Sequence, residues 1–200
     1  MVTIGVLALQ GDFAEHVAAL RGIGASVQEV RTPADLELVS ALIIPGGEST
    51  TISRLMDRWG LRQPIVAAAK DGMPIWGTCA GLIMLADNVI DGSVPPLGLM
   101  HLAVERNAYG RQVDSFETDL AIPEFGPAPM HAVFIRAPVI RAVGPAVQVL
   151  GKLGDGTPVA VRERNLLGSS FHPELTPDHR FHAYLLQLAQ EHQRATNVTA

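Results

Sequence analysis

A lone cysteine lies between two glycines in the segment Gly77-Thr78-Cys79-Ala80-Gly81. The segment follows an apolar run at 74–76 and precedes a helical pattern, which is typical of a tight strand-to-helix turn. Such a nucleophile elbow needs small flanking residues and exposes the nucleophile above the end of the strand. The helix N-terminus there favours a thiolate. The alternative is a buried structural cysteine whose neighbouring glycines serve only the turn.

A histidine and a carboxylate lie two residues apart in the segment Phe171-His172-Pro173-Glu174. A cysteine nucleophile needs a base, and the base needs a group that orients it. Because Pro173 disfavours helix at the residue before it, the segment is expected to be extended, with His172 and Glu174 on one side. We therefore predict a triad of Cys79, His172 and Glu174. The alternative is a surface turn beside an unrelated glutamate.

A third segment, Pro45-Gly46-Gly47-Glu48-Ser49, follows the apolar run at 41–44. Two adjacent glycines let a backbone approach a ligand closely and direct N–H groups at it. Together with the amide of Ala80, this loop is suited to an oxyanion hole. The alternative is an ordinary strand-to-helix turn in which Ser49 or Thr50 caps the helix that follows.

The elements that must position these segments alternate along the first half of the chain. The apolar runs predict strands at 2–9, 27–30, 41–44 and 74–78, and helical periodicity predicts helices at 13–22, 49–57, 64–70 and 80–86. Such alternation favours a parallel sheet that is covered on both faces. Each of the three segments follows a strand, so they are expected to meet at the carboxyl edge, where open α/β sheets bind ligands.

The second half, from about 97 to 171, changes to strand after strand. Examples are the runs at 132–135, 147–150 and 159–161, which we interpret as antiparallel additions to the sheet. A closing helix is predicted over about 177–192. The chain is therefore predicted to be α/β, with an open, mixed and mainly parallel sheet and helices on both faces. We expect one domain over 1–193 and a polar tail at 194–200.

Composition narrows the class of protein further. The 200 residues are 48% hydrophobic and 18% charged, which excludes a disordered chain, and the formal net charge of −5 argues against a nucleic-acid binder. No apolar run approaches the roughly 18 residues of a membrane span, and the N-terminal run lacks the basic start of a signal peptide. The single cysteine excludes an intramolecular disulfide. We predict a cytoplasmic protein that binds neither nucleic acid nor membranes.

The motifs also carry a family resemblance. The segments are IGVLALQGDF at 4–13, PGGESTT at 45–51, GTCAGL at 77–82, ERNAYGRQ at 105–112, FIRAP at 134–138 and FHPEL at 171–175. On these residues the chain resembles the class I, triad-type glutamine amidotransferases. Within that class it is similar to the glutaminase subunits of pyridoxal 5′-phosphate synthase. The cysteine elbow and the histidine segment are general to the class, whereas the segments at 9–12, 46–51 and 105–111 are specific to the subfamily.

The resemblance implies the hydrolysis of L-glutamine to L-glutamate and ammonia through a glutamyl thioester on Cys79. The oxyanion would be held by the backbone amides of Gly47 and Ala80, with Gln10 in support. An arginine suits the α-carboxylate of free glutamine. The residues implied to contact glutamine are Gly47, Glu48, Ser49, Arg106, Ile135 and Arg136.

The resemblance further implies a partner. Ammonia would pass to a barrel-shaped synthase subunit in a large hetero-oligomer that builds pyridoxal 5′-phosphate, while this chain binds no cofactor, metal or nucleotide. The lone subunit is expected to be nearly inactive until docking completes the oxyanion hole, through a flip of the peptide between Gly46 and Gly47. A metal trio of His172, His179 and His182 is disfavoured, since no thiolate accompanies it and His172 serves Cys79.

Two other functions stay open at this point. The first is the glutaminase subunit of another synthase, such as the imidazole glycerol phosphate type. The second is a chaperone-like or redox-sensing relative of the same fold, in which the elbow cysteine is an oxidation target. The position of Glu174, two residues after His172, favours the triad over the second of these.

Overall fold

The strands and helices of the protein are taken from a computed structural model that describes residues 2–106 and 115–199. Its strands are β1 (Thr3–Leu7), β2 (Ser26–Val30), β3 (Ala41–Ile44), β4 (Ile75–Thr78), β5 (Ala86–Val89), β6 (Met100–Glu105), β7 (Ser115–Leu120), β8 (Met130–Ile135), β9 (Val139–Val143), β10 (Gln148–Lys152), β11 (Pro158–Glu163) and β12 (Leu166–Ser169). Its helices are α1 (Phe13–Gly22), α2 (Pro33–Leu36), α3 (Ser49–Arg58), α4 (Arg62–Lys70), α5 (Ala80–Leu85) and α6 (Arg180–Thr199). Single 3₁₀ turns occupy Pro123–Phe125 and Pro173–Leu175.

Seven strands form the central sheet, in the order β10-β11-β12-β4-β3-β1-β2. The five strands from β12 to β2 are parallel, whereas β11 runs antiparallel to both of its neighbours. The predicted mainly parallel sheet is therefore confirmed. Strand β4, which leads into the cysteine segment, lies between β3 and β12, so the carboxyl ends of three strands converge around it.

The continuous apolar runs explain why helices cover both faces of this sheet. All four residues of β3 are buried, and successive side chains point to opposite faces. Ile43 packs in the cluster that contains Leu20 of α1 and Leu185 of α6. Ile44 packs in the cluster that contains Met56 of α3, together with residues of α4 and α5. Strands buried on both sides read as unbroken hydrophobic runs, as the sequence shows here.

The second half of the chain divides its strands among three sheets. Strands β10 and β11 are the predicted antiparallel additions to the central sheet. Strands β5, β6 and β9 form a separate three-stranded sheet, and β7 and β8 form a two-stranded one. The expectation that all of these strands extend the central sheet is therefore wrong. In β7 and β8 exposed and more buried positions alternate, so each strand has one solvent-facing side and does not suit a sheet covered on both faces.

The closing helix differs from the sequence-based interpretation at both ends. It begins at Arg180 rather than at 177, and the Asp178 carboxylate accepts the N–H of Arg180 at 3.2 Å just before the first turn. It continues through Thr199, so residues 194–199, which were predicted to be a tail, extend the helix. Within the described ranges, no helix combines the length and apolar character needed to cross a membrane. One domain over 1–193 stays a prediction.

Candidate active site

Cys79 occupies the turn between β4 and α5 in a backbone conformation that side chains rarely adopt. Its φ of 47° and ψ of −102° lie in a region favoured by glycine, and its N–H donates to the carbonyl of Ser169 at 2.8 Å. Small neighbours are required. A Cβ on Gly77 would lie 2.4 Å from the carbonyl carbon of Gly81, and a Cβ on Gly81 would lie 1.9 Å from the carbonyl oxygen of Ile44. Strain of this kind persists only where the surrounding structure enforces it.

His172 and Glu174 form a buried pair beside this turn. The Nδ1 atom of His172 lies 2.7 Å from Oε1 of Glu174, and the His172 N–H donates to the carbonyl of Val133 at 2.9 Å. The expected extended conformation is wrong beyond His172, because Pro173–Leu175 is a 3₁₀ turn. Proline suits the first position of a helical turn, while the residue before it stays extended. The carboxylate thus reaches the imidazole across a turn.

Electrostatics couple this pair to the cysteine. Burial by itself lowers the pKa of His172, but hydrogen bonds to Cys79 and Glu174, with the negative charges of both, outweigh burial and raise that pKa to about 10. Burial raises the pKa of Glu174, and the hydrogen bond and charge of His172 oppose that rise. An imidazole with a raised pKa keeps its proton at neutral pH. The surroundings of His172 therefore favour its imidazolium form.

A cavity of about 370 Å³ opens beside the cysteine and gathers most of the predicted site residues. The predicted residues that line it are Gly47, Glu48, Ser49, Cys79, Ala80, Arg106, Ile135, Arg136 and His172. Glu174 and Gln10 do not line it; Glu174 is buried against the far side of the His172 imidazole. Four further lining residues, Asp12, Ile83, Pro138 and Leu175, were not predicted as site residues.

Hydrogen bonds join the loop between β3 and α3 to the segment that follows β1. The side-chain oxygen of Gln10 accepts the N–H of Glu48 at 2.8 Å, and the carbonyl of Gly46 accepts the N–H of Asp12 at 3.1 Å. Gly47 has a φ of 147°, and a Cβ there would lie 2.6 Å from Oε1 of Gln10. Gln10 therefore contacts the backbone of this loop, and its supporting role in an oxyanion hole stays a prediction.

Glu48 caps α3, so the expected cap by Ser49 or Thr50 is wrong. Its carboxylate accepts the N–H of Thr50 at 3.0 Å and that of Thr51 at 2.6 Å, while Ser49 is buried as the first helical residue. Burial raises the pKa of Glu48, but these hydrogen bonds outweigh it and lower the pKa to about 2. Glu48, a predicted substrate contact, therefore carries a fixed negative charge. Nη2 of Arg106 lies 3.6 Å from Oε1 of Glu48.

The opposite wall of the cavity comes from the end of β8. Ile135 is half-exposed, and its carbonyl oxygen lies 3.9 Å from Sγ of Cys79. Arg136 is exposed, with a φ of 45°, which turns the chain away from the strand. Arg106 also donates to the hydroxyl of Ser93. The rest of the segment that carries the subfamily resemblance, 107–112, lies outside the described residues.

Sequence reasoning missed Asp12 as part of the site. Its Oδ2 lies 3.5 Å from Nδ1 of His172. Within the described parts of the chain, Asp12, His172 and Glu174 are the one group of potential metal ligands that lie close enough to share an ion. Both carboxylates face the same ring nitrogen, so we interpret the group as a hydrogen-bonding one. Asp12 ends the subfamily-specific segment at 9–12, which was the available signal.

Comparison with known proteins decides the family. The sequence model of the SNO glutamine amidotransferase family matches residues 6–191. The chain belongs to this family. The match begins in the first strand of the central sheet, ends in the last helix, and includes the cysteine turn and the histidine segment.

The chain is also similar to individual proteins over nearly its whole length. It is 56% identical over 190 residues to the pyridoxal 5′-phosphate synthase subunit PdxT of Herpetosiphon aurantiacus, covering 94% of this chain and 100% of that protein. It is 56% identical over 193 residues to the same subunit of Dehalococcoides mccartyi, covering 95% of this chain and 98% of that protein. A crystal structure of a glutamine amidotransferase superimposes with a TM-score of 0.88 at 50% identity, covering 94% of this chain and 98% of that one.

Proposed function

We propose that this glutamine amidotransferase is the glutaminase subunit of a pyridoxal 5′-phosphate synthase, with Cys79, His172 and Glu174 as its catalytic triad. One observation carries the assignment of residues. A strained cysteine turn, a glycine loop and the buried His172 all border one cavity of about 370 Å³, and Glu174 contacts His172 from outside the cavity. A nucleophile, its base and candidate oxyanion donors are the parts that acyl transfer from an amide requires.

The reaction begins with the thiolate of Cys79, whose proton resides on His172. The sulfur attacks the side-chain carboxamide carbon of glutamine, and the N–H groups of Gly47 and Ala80 stabilise the oxyanion that forms. His172 then protonates the leaving nitrogen, so ammonia departs and a glutamyl thioester remains on the sulfur. Water attacks the thioester as His172 takes its proton, which releases glutamate and restores the thiolate–imidazolium pair.

Recognition of free glutamine requires a cation for its carboxylate and an anion for its ammonium group. Arg106 and Arg136 both line the cavity and supply the cation, and the ionised Glu48 supplies the anion. Ile135 and Ser49 also line the cavity and are assigned to its enclosure around the bound glutamine. These roles follow from charge and position.

The proposed partner is a barrel-shaped synthase subunit that receives the ammonia inside a hetero-oligomer. The relatives described above carry the name of a pyridoxal 5′-phosphate synthase subunit, and the identity of 56% extends over nearly the whole chain. This likeness favours that synthase over one of the imidazole glycerol phosphate type. A cytoplasmic location stays a prediction of the sequence.

Covalent trapping tests the assignment of the nucleophile. The wild-type chain, in complex with the synthase, is incubated with a chloroketone analogue of glutamine and then analysed by peptide mass spectrometry. We expect one adduct, on the peptide that contains Cys79, and protection by excess glutamine. Labelling that glutamine does not slow would contradict a glutamine site and would favour the redox-sensing alternative.

A further inference from the structure

Two fully buried histidines lie behind the proposed triad, away from the cavity. His16 of α1 and His182 of α6 both have 0% exposure. The Nε2 atom of His16 lies 3.4 Å from Oε2 of Glu174 and 3.2 Å from the hydroxyl of Thr78. Its other ring nitrogen, Nδ1, lies 3.0 Å from Nε2 of His182. A line of polar contacts therefore runs from α6 through α1 to the carboxylate that faces His172.

Both histidines are neutral in this setting. Burial, together with the cost of placing a further positive charge beside the imidazoles of His182 and His172, holds the pKa of His16 well below its ordinary value. Burial and the neighbouring His179 lower the pKa of His182 to about 3. Each neutral ring has one N–H and one bare nitrogen, so each contact depends on which nitrogen carries the hydrogen.

The contacts select one arrangement of these hydrogens. Nδ1 of His182 is buried and makes no hydrogen bond to any residue that the structure describes. Because an unpaired buried N–H is rarer than an unpaired acceptor, the hydrogen of His182 belongs on Nε2. That N–H donates to Nδ1 of His16, and the hydrogen of His16 is then on Nε2. It faces Thr78 and Oε2 of Glu174.

The Glu174 carboxylate has an oxygen atom that the N–H of His16 is placed to serve. Oε1 of Glu174 is bonded to His172, but Oε2 is buried without a hydrogen bond to the described residues, and the N–H of His16 is the donor placed to serve it. Burial favours the neutral form of a carboxyl group, which could not stabilise an imidazolium. Catalytic hydrogen bonds are often long in the free enzyme and shorten as charge develops.

We propose that His16 is a positioning residue of the glutaminase reaction. Through Nε2–H it holds Oε2 of Glu174, and through His182 its hydrogen is kept on that side, so that Glu174 stays ionised and aligned with His172. This inference rests on the proposed triad. The groups that face His16 are Thr78 and Trp76 of β4, His172, Glu174 of the 3₁₀ turn, and His182 of α6.

A matched pair of substitutions separates positioning from packing. In His16→Gln the amide nitrogen can take the place of Nε2 and still donate to Glu174. In His16→Asn the shorter amide reaches only the place of Nδ1, so the donor to Glu174 is lost. Both variants keep an amide in the core, and thermal unfolding reports whether they fold equally well.

The first readout is the rate at which iodoacetamide alkylates Cys79 as a function of pH. The chain has one cysteine, so the signal has one source. If His16 supports the imidazolium through Glu174, His16→Asn shifts the midpoint of the alkylation profile to higher pH, whereas His16→Gln keeps the wild-type midpoint. Equal profiles in the two variants, whether wild-type or shifted, would overturn the proposal.

The second readout is glutamate release in complex with the synthase. We expect His16→Asn to lower kcat about tenfold with little change in KM, the effect of one lost hydrogen bond of ordinary strength, and His16→Gln to stay within about threefold of wild type. His182→Leu should act like His16→Asn, and His182→Gln like wild type. A loss that follows the unfolding temperature instead of the donor would assign both histidines to packing. No glutamate release from the wild-type complex would refute the proposed function, and the alkylation profiles would still test His16.

Discussion

At the scale of single residues, the proposed nucleophile has a backbone conformation that glycine adopts without strain. Cys79 has a φ of 47°, and an alanine there would share that strain. We expect Cys79→Ala and Cys79→Gly both to abolish glutamate release, because no other cysteine exists to replace the thiolate. We also expect Cys79→Gly to be more stable than Cys79→Ala by about 1 kcal/mol in urea unfolding, since only glycine relieves the strain.

Glutamate release and urea unfolding test two different claims. Glutamate release near the wild-type rate in either variant would remove Cys79 from the mechanism. Equal unfolding free energies in the two variants would contradict the strained turn and leave the chemistry standing. Binding of the synthase by both variants is the control that the fold at the docking surface is unchanged.

The histidine–glutamate pair gives a second prediction at this scale, on pH. The charges of Cys79 and Glu174 help to raise the pKa of His172 to about 10, so the protonated form that expels ammonia persists at alkaline pH. Removing the charge in Glu174→Gln should lower that pKa and move the alkaline fall of kcat/KM to lower pH. The rate of glutamate release by Glu174→Gln should exceed that of His172→Ala, because His172→Ala lacks the group that carries the proton.

The measurement is a pH profile of glutamate release by the complex for the three proteins. An alkaline limb that stays in place or moves upward in Glu174→Gln would mean that another group supports the imidazolium. Asp12, whose carboxylate oxygen lies 3.5 Å from Nδ1 of His172, would then be the first residue to examine.

At the scale of elements, the strand-to-helix turn depends on close backbone contacts. A Cβ on Gly81 would lie 1.9 Å from the carbonyl oxygen of Ile44, and backbone atoms of a central strand cannot move aside. We expect Gly81→Ala to destabilise the protein by about 2–3 kcal/mol, as overpacking does. Gly154→Ala is the matched control, because a Cβ there meets nothing within 4 Å, and its unfolding free energy should change by less than about 0.5 kcal/mol.

Strand and helix positions in the first half followed from the sequence because parallel strands buried on both faces read as unbroken apolar runs. Strand partners in the second half did not follow, since the residues of β7 and β8 indicate strands but contain no information on which sheet receives them. The turn at Pro173–Leu175 was missed because proline is equally compatible with an extended segment and with the first residue of a turn.

The three proposed triad residues and the glycine loop could be predicted because each follows a strand, and parallel strands bring their carboxyl ends to one edge. His16 could not, because it reaches the site from α1 through packing between α1, α6 and β4. Asp12, in the turn before α1, was missed although it ends the subfamily-specific segment at 9–12. Glu48 was assigned to substrate alone, although its side chain also caps α3.

At the scale of the whole molecule, partner docking is expected to control the reaction. The carbonyl of Gly46 is bonded to the N–H of Asp12, and the two adjacent glycines permit the peptide between them to turn over. A partner that contacts one orientation more favourably than the other shifts their populations. We expect glutamate release at saturating glutamine to be much slower for the isolated chain than for the complex. Equal rates would refute this control and leave the triad unaffected.

The central claim is that Cys79 releases ammonia from glutamine and that a synthase partner incorporates it. The most direct measurement supplies the complex with glutamine labelled with ¹⁵N in its side-chain amide and follows ¹⁵N into pyridoxal 5′-phosphate by mass spectrometry. We predict labelled product from the wild-type chain, and from Cys79→Ala no labelled product but normal synthesis when ammonium is added. Labelled product formed by Cys79→Ala at the wild-type rate would contradict the account.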